Sequence, residues 1–407
     1  MARLVAFGDA HLGRSHLAHL RDEQGRNVRE EDFLRSFSWA IEETIRQEPD
    51  GFLWLGDIFD HARPTYRTFA HVLAGLQRLA DAGLPGVAIS GNHDTPRVRG
   101  TGSPYDALER VFPSVTFAWR MEAARAEIAG VAVHAVPQTL AVDDLREQLK
   151  VAAEAIRADT VSLLIAHVAL TSLDELREQL KVASGAVRAD GVNLLIAHVA
   201  LTSLPSRAYR DINELEVEES AFDRAFDLVV LGHYHAVQKI SKRTWYAGST
   251  DTFSFADSPE TTKGLVVVDT GSGALEHVEN PHERPLATVS VQAGGMSAGE
   301  LVDAVERSAK GTPDGAVVRV YLNQVDPASF RQVAMEQFQE AVPRALWVQV
   351  EPDMGADAMA VQGGPTVGSL EQEWLAYVEL QDLAGLERER VVSLGARFLE
   401  DARGDTA

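Results

Sequence analysis

Four short strings close apolar runs with side chains able to bind a metal: GDAH at 8–11, GDIFD at 56–60, GNHD at 91–94 and GHYH at 232–235. Their polar members are aspartate, asparagine and histidine. The chain has no cysteine, so any metal must be held by oxygen and imidazole nitrogen. That donor set suits Mn²⁺, Fe²⁺ or Zn²⁺ in five- or six-coordinate geometry and disfavours Ca²⁺, which prefers oxygen alone. In D-x-H and H-x-H the two donors fall on one side of an extended chain, because alternate residues point the same way. The glycines before Asp9, Asp57, Asn92 and His233 let the backbone turn and approach a cation closely. Taken singly these strings are weak signals. A Gly-Asp at a strand end is more often a turn or a helix cap, and a lone histidine on an apolar strand is more often a hydrogen-bonded core residue. All four together, in this order and each behind an apolar run, point to a metal centre.

Such a centre needs elements that deliver distant residues to one place. RLVAFGD, GFLWLGD, GVAIS, LVVLGH and LLIAH, which occurs twice, read as buried strands. Between them EEDFLRSFSWAIEETIRQ (30–47) and YRTFAHVLAGLQRLADAG (66–83) carry apolar residues at helical spacing, the second ending on Gly83 as a C-terminal cap. Alternation of this kind predicts an α/β fold in which loops at the carboxyl ends of the strands face one crevice. WYAGS (245–249), KGLVVVD and ALEHVE, the last two joined by TGSG, read as an antiparallel continuation. After ENPHERP (279–285) the rhythm becomes strand, helix, strand, helix, strand, enough for a small separate α/β domain. The Gly-, Ala- and Pro-rich stretch 352–368 reads as a linker, and two short amphipathic helices follow it. Two helices cannot bury their apolar faces alone, so they must dock on their own chain or on a partner.

The two LLIAH strings belong to a larger duplication. Residues 145–175 and 176–206 align without gaps, with 24 of the 31 positions identical. Each unit reads as one helix plus one strand, a single doubled αβ element rather than a solenoid, which needs three or more units. Whether the surplus unit adds a strand or loops out is left open.

A formal net charge of −22 argues against broad electrostatic attraction to phosphates, which rests on Lys and Arg. The acidity itself reads as solubility, and bound cations can supply positive charge where the chain does not. Arg14, Arg63, Arg67, Arg97 and Arg99 are placed to make a local basic rim. The apolar start of the chain is too short for a secretory core or a membrane span, and the absence of cysteine fits a reducing compartment, so a cytoplasmic, nucleoid-associated protein without membrane attachment is expected.

GDAH, LGDIFD, GNHD and GHYH, in this order, resemble the motifs of the calcineurin-like metallophosphoesterases. FDLVVLGHYHAVQKI followed by YAGSTDTFSF makes the chain similar to SbcD-type nucleases, the bacterial branch of the Mre family of DNA double-strand-break repair nucleases. The resemblance is strong over 3–270, and beyond about 285 it rests on order and size. It implies a four-layer α/β/β/α nuclease domain over 1–280, a capping domain over 285–351 that helps to position DNA, and a helical segment over 369–402 that docks onto the coiled coil of an SbcC-type ABC ATPase. Leu370, Trp374, Leu375, Val378, Val391, Val392, Leu394 and Phe398 would supply the docking face. Two Mn²⁺ ions are implied as cofactors, with Mg²⁺, Fe²⁺ or Zn²⁺ as alternatives. Asp9, His11 and His235 would hold one, and Asn92, His233 and a histidine from an LLIAH strand the other, with Asp57 bridging. His93 would be the catalytic histidine, with Asp94 fixing its tautomer, and Arg14, His61, Arg63, Arg97 and Arg99 would contact DNA. The implied activity is 3′–5′ exonuclease action on duplex ends and endonuclease action on hairpins and single strands, by a homodimer in DNA repair, recombination and replication.

The repeat junctions choose between the twin histidines. Asp-Glu at the seam resembles the Asp-Asp before the first copy, so the exit through PSRAYRDINELE belongs to the second. His198 then lies 35 residues before His233, against 66 for His167, and is the expected ligand, with His167 the alternative. Two other readings of the same strings are a phosphoesterase for small phosphoesters and a catalytically silent scaffold for an ATPase.

Overall fold

The structure of the chain is a computed structural model. It describes all residues except 1, 16, 92, 95, 97–100, 123, 138–160, 168–192, 199, 202–215, 218–227, 233–234, 243, 256–261, 355–373, 375–377, 379–387, 389 and 396–407. Four parallel strands, β1 (Arg3–Phe7), β2 (Gly51–Trp54), β3 (Gly86–Ile89) and β4 (Val115–Ala118), are linked through α1 (Val28–Arg46), α2 (Tyr66–Asp81) and α3 (Pro104–Val111). The strands are apolar throughout because both faces are covered. Val5, Phe7, Phe52, Trp54 and Ala88 pack with Phe33, Phe37 and Ile41 of α1 and Val72, Leu76 and Leu79 of α2. Leu4, Ala6, Leu53, Leu55, Val87 and Ile89, one residue out of phase, pack instead with Ile128, Val131, Val133 and Ala135. Alternate residues therefore serve two cores, one between helices and sheet and one between two sheets. Truncating a fully buried aromatic such as Phe37 or Trp54 to alanine is expected to cost about 3–5 kcal/mol in denaturation.

Local sequence explains where the helices begin, end and meet. Asn27 caps α1 by accepting the Glu30 N–H at 3.0 Å. Gly83, at φ +73°, turns the chain one residue beyond the cap of α2. A Cβ at Gly75 would lie 2.8 Å from the Phe37 ring, so glycine there lets α1 and α2 approach.

The second sheet is built from β5 (Ala124–Ile128), β6 (Val131–Val136), β7 (Val161–His167) and β8 (Asn193–His198). Beyond the small pair β9 (Ala200–Leu201) and β10 (Glu216–Val217), it continues with β11 (Leu228–Gly232), β12 (Gln238–Lys239) and β13 (Thr244–Tyr246). Its order is β12-β13-β11-β8-β7-β6-β5. The duplicated unit thus adds a strand rather than looping out. The two copies are parallel neighbours in perfect register, with Leu163 opposite Leu194 and His167 opposite His198. The second copy lies beside β11, where His198 is opposite Gly232, and the first lies beside β6. The LREQLKVA helices of both copies fall outside the described residues, so the helical layer expected over this sheet does too.

β14 (Gly264–Asp269) and β15 (Ala274–Glu279) form the expected hairpin and extend the first sheet, β14 running antiparallel to β1. The strand carrying Trp245 and Tyr246 departs from expectation. It joins the second sheet parallel to β11, because the chain crosses between sheets at Gly248, whose φ is +69°. The β4 strand, the β5–β6 hairpin and α3 were not anticipated. ARAEI and VAVHAV are short and mixed in polarity, which leaves a weak pattern.

A three-stranded sheet, ordered β16-β17-β18, is made by β16 (Leu286–Gln292), β17 (Val317–Asn323) and β18 (Trp347–Pro352). With it run α4 (Ala298–Ser308), α5 (Pro327–Phe330) and α6 (Met335–Ala341). The second expected helix of this region is therefore two short ones. The chain divides into two compact units, one containing 1–288, 311–319 and 342–349, the other 289–310, 320–341 and 350–407. Within the second unit Trp374 and Val378 are helical. The Trp374 Nε1–H donates to the Val392 carbonyl at 3.2 Å, and a Cβ at Gly395 would touch the indole at 2.2 Å. Val378 is buried and Leu394 exposed. The expected docking face is corrected to this extent: Trp374 and Val378 already pack on their own chain.

Candidate metal centre

The loops after β1 and β2 run side by side. Asp9 N–H donates to Gly56 O at 3.1 Å, His11 N–H to Asp57 O at 3.0 Å, Leu12 N–H to Ile58 O at 2.9 Å, and Asp60 N–H back to Leu12 O at 3.0 Å. The left-handed backbone needed to turn these loops is adopted by the functional residues themselves, with φ of 48° at Asp9, 43° at His11 and 50° at Asp57. Strain of that kind concentrates at functional sites. Of the glycines expected to supply the turns, Gly56 has φ +95°. Gly8 and Gly91 serve space instead: a Cβ at Gly8 would lie 2.9 Å from Leu55 Cβ, and one at Gly91 would lie 2.1 Å from Asp57 Oδ1.

Asp9, His11 and His235 converge, each offering a ligand atom within 4.8 Å of the others. Two of them come from the first sheet's loop and one from beyond β11. The His11 and His235 rings lie 5.5 Å apart, and Phe253 packs against both, at 4.8 and 4.2 Å. Asp57 is buried beside them and accepts the His93 N–H at 2.9 Å. The His93 ring stands edge-on to His11 at 4.6 Å with its side chain 35% exposed, so one edge is open to an incoming group.

Two acidic residues have roles different from those expected. Asp94 does not touch the His93 ring. It is fully buried and accepts from Gly91 N–H at 2.6 Å, Ile58 N–H at 2.9 Å and Tyr105 O–H at 2.8 Å, stapling the loops after β2 and β3 together. Burial, and then the neighbouring Asp57 charge, push its carboxyl up to about 7. The residue that orients His93 is Asp60, whose main-chain oxygen lies 3.0 Å from His93 Nδ1. Its buried carboxylate is 3.2 Å from His11 Nδ1, 3.4 Å from the Arg14 guanidinium and 3.3 Å from His61 Nε2. Burial raises its pKa, but His11, Arg14 and His61 outweigh that and hold it below the ordinary value. A carboxylate facing Nδ1 favours the tautomer that keeps Nε2 free as a ligand. Asp60 and Phe253 were missed. Asp60 stands in the quoted GDIFD, where a second carboxylate three residues after Asp57 was the available signal, whereas nothing local marks Phe253.

Of the expected basic rim, Arg14, Arg63 and Arg67 are among the described residues. Arg67 is engaged by Glu30 and Glu31. Arg14 stacks on Phe253, its guanidinium 3.7 Å from the ring centre, while His61 and Arg63 are exposed. Arg97 and Arg99 fall outside the described residues, as do Asn92 and His233, and His167 and His198 are described in their backbone alone.

Residues 2–237, more than half of the chain, match the calcineurin-like phosphoesterase family. The chain belongs to that family. This phosphoesterase is similar to the DNA double-strand break repair protein Mre11 of Haloferax volcanii, at 28% identity over 83% of the chain and 66% of the relative, and to that of Aeropyrum pernix, at 33% over 24% of the chain and 22% of the relative. The matches thus span less than two thirds of the relatives' own length. A dimetal phosphatase from Danio rerio aligns over 65% of the chain and 91% of its own, with 11% identity and a TM-score of 0.35. The phosphoesterase fold is mixed α/β, as expected. Its donor set also fits a divalent cation, since one carboxylate and two imidazoles converge at a place where two of the three are buried. Among the described residues no helix is long and apolar enough to cross a membrane.

Proposed function

We propose that this phosphoesterase is a Mn²⁺-dependent DNA nuclease of the SbcD type, cutting duplex DNA from its ends with 3′–5′ polarity and opening hairpins and single strands. The convergence of Asp9, His11 and His235, with Asp57 and His93 beside them, carries the reading. Asp9, His11 and His235 would hold one cation and Asn92, His233 and His198 a second, with the Asp57 carboxylate available to both. Bound cations supply charge that offsets the phosphodiester and lowers the pKa of water. His93, its Nδ1–H donating to Asp60 O, would present Nε2 to the leaving oxygen and, as the imidazolium, give up its Nε2 proton there, returning to the neutral ring. Arg14, fixed between Asp60 and Phe253, holds a non-bridging phosphate oxygen, and His61 and Arg63 line the approach.

His198 is favoured over His167 because β8, and not β7, neighbours β11, with His198 opposite Gly232 next to His233. The similarity to archaeal Mre11 proteins supports DNA as substrate. Residues 285–351 help to position DNA, and 369–402, through Leu394 and its neighbours, dock the coiled coil of an SbcC-type ATPase. The working form is a homodimer, and at a net charge of −22 its grip on DNA comes from cations and partner.

The test compares Mn²⁺-dependent hydrolysis of a linear duplex with that of a nucleotide monoester. Duplex cleavage is expected, falling on the order of 10²–10⁴-fold in His93→Ala. Monoester hydrolysis without DNA cleavage would overturn the nuclease reading, and no Mn²⁺-dependent hydrolysis of either substrate would overturn the enzyme reading.

A further inference from the structure

Behind the metal loops lies a buried ionic cluster that the nuclease reading does not use. Arg29, on the first turn of α1 and fully buried, donates to Asp32 at 2.7 Å, to Asp251 at 3.1 Å and to the Thr252 carbonyl. Asp251, also fully buried, accepts from the Ser36 hydroxyl. A single guanidinium thus grips both a side chain and a main-chain oxygen of the 249–253 loop, and its planar fork fixes their orientation as well as their distance. The next residue is Phe253, whose ring lies against His235, His11 and Arg14. The same loop holds His235 by its main chain. Ser249 N–H donates to the His235 carbonyl at 3.3 Å while its hydroxyl donates to the Asp251 carbonyl at 2.6 Å, and the buried Lys263 ammonium donates to the His235 oxygen as well.

The far side of the cluster is made by residues 280–284, the strap that leads into β16. Asn280 donates to Ser36 Oγ at 2.9 Å and to Thr250 O at 2.8 Å, and Glu283 accepts from the Thr252 hydroxyl. The Arg284 Nε–H and Nη2–H donate to the two Asp32 oxygens at 2.5 and 2.8 Å. One hydrogen-bonded chain therefore runs from the strap through Asp32, Arg29, Asp251 and Ser249 to His235, with the Phe253 ring packed at its end. Buried ion pairs contribute little net stability, because desolvation offsets their attraction. What such a cluster does supply here is fixed geometry at the site's second wall.

We infer that the Arg29–Asp32–Asp251 cluster is a positioning device that couples the 280–284 strap to cation binding at Asp9, His11 and His235. The inference rests on the reading of those three residues as a cation site. A strap that holds the loop keeps His235 and Phe253 where the cation needs them. By reciprocity a bound cation tightens the strap by the same free energy.

Arg284 is the residue to test, because Asp32 keeps Arg29 and Arg35 as partners without it. Mn²⁺ binding to the full chain is measured by titration calorimetry, and hydrogen exchange of peptides covering 249–253 and 280–284 is followed with and without Mn²⁺. Arg284→Met is expected to weaken Mn²⁺ binding about 10-fold, with Arg284→Lys in between. In the wild-type chain Mn²⁺ is expected to slow exchange in both peptides. Unchanged Mn²⁺ affinity in folded Arg284→Met overturns the coupling and leaves the site reading intact. Should that variant fail to fold, exchange in the wild-type strap that ignores Mn²⁺ overturns it equally. A wild-type chain that binds no Mn²⁺ overturns the site reading itself, and the inference with it.

Discussion

The two sheets reach the candidate centre by different means. In the first, Asp9, His11 and Asp57 sit on two loops stitched backbone to backbone, Asp9 to Gly56, His11 to Asp57 and Leu12 to Ile58, and these main-chain bonds hold their left-handed φ angles. In the second, Ser249 and Lys263 hold the His235 carbonyl and Phe253 packs on its ring, and the neighbouring strand exists in two near-identical copies. The contrast shows that one wall of the site is fixed main chain to main chain, whereas the other depends on side-chain packing and on which copy of a repeated strand occupies which position.

The largest effect that would sharpen this contrast comes from the first wall. Asp57→Ala is expected to lower Mn²⁺-dependent DNA cleavage on the order of 10³-fold, because the shared carboxylate is lost; cleavage within tenfold of wild type would break the assignment. Asp94→Ala leaves the buried Gly91 and Ile58 N–H groups unpaired, and should cost about 3 kcal/mol in urea unfolding. His93→Ala, on a half-buried ring, should lose cleavage with little change in that unfolding curve. On the other wall, His198→Ala is expected to lose roughly 100-fold in cleavage and His167→Ala less than threefold; the reverse ranking would mean that the first copy supplies the ligand. The smallest effect belongs to Arg67→Ala, whose partners Glu30 and Glu31 lie away from the cation group. It should shift stability by no more than about 0.5 kcal/mol and leave the salt dependence of DNA cleavage unchanged.

Much of the fold was legible because its buried strands are continuous apolar runs that end on Gly-Asp, Gly-Asn or Gly-His. RLVAFGD and GFLWLGD could be read as strands without any neighbour. The β5–β6 hairpin could not, since ARAEI alternates charged and apolar residues with no turn signal stronger than Ala129-Gly130. At the site, Asp9, His11 and His235 were legible from their spacing and do come together. Asp94 was misread because adjacency in sequence to His93 suggested contact, while its side chain turns the opposite way into the Tyr105 pocket. Asp60 was overlooked because its importance comes from four partners, His11, Arg14, His61 and His93, of which only His61 is adjacent in sequence.

By itself the sequence determined the donor types, the order in which strands deliver them and the α/β alternation, since these follow from residue chemistry and from the two-residue period of a buried strand. Only the tertiary structure decided that the second LLIAH copy lies beside β11, that Asp60 rather than Asp94 faces His93, and that Arg29 and Arg284 tie the strap to the His235 loop. Strand order joins residues as far apart as Arg3 and Asp269, and a buried ion pair spans the 252 positions between Asp32 and Arg284; contacts at such separations leave no periodic trace in the chain that makes them.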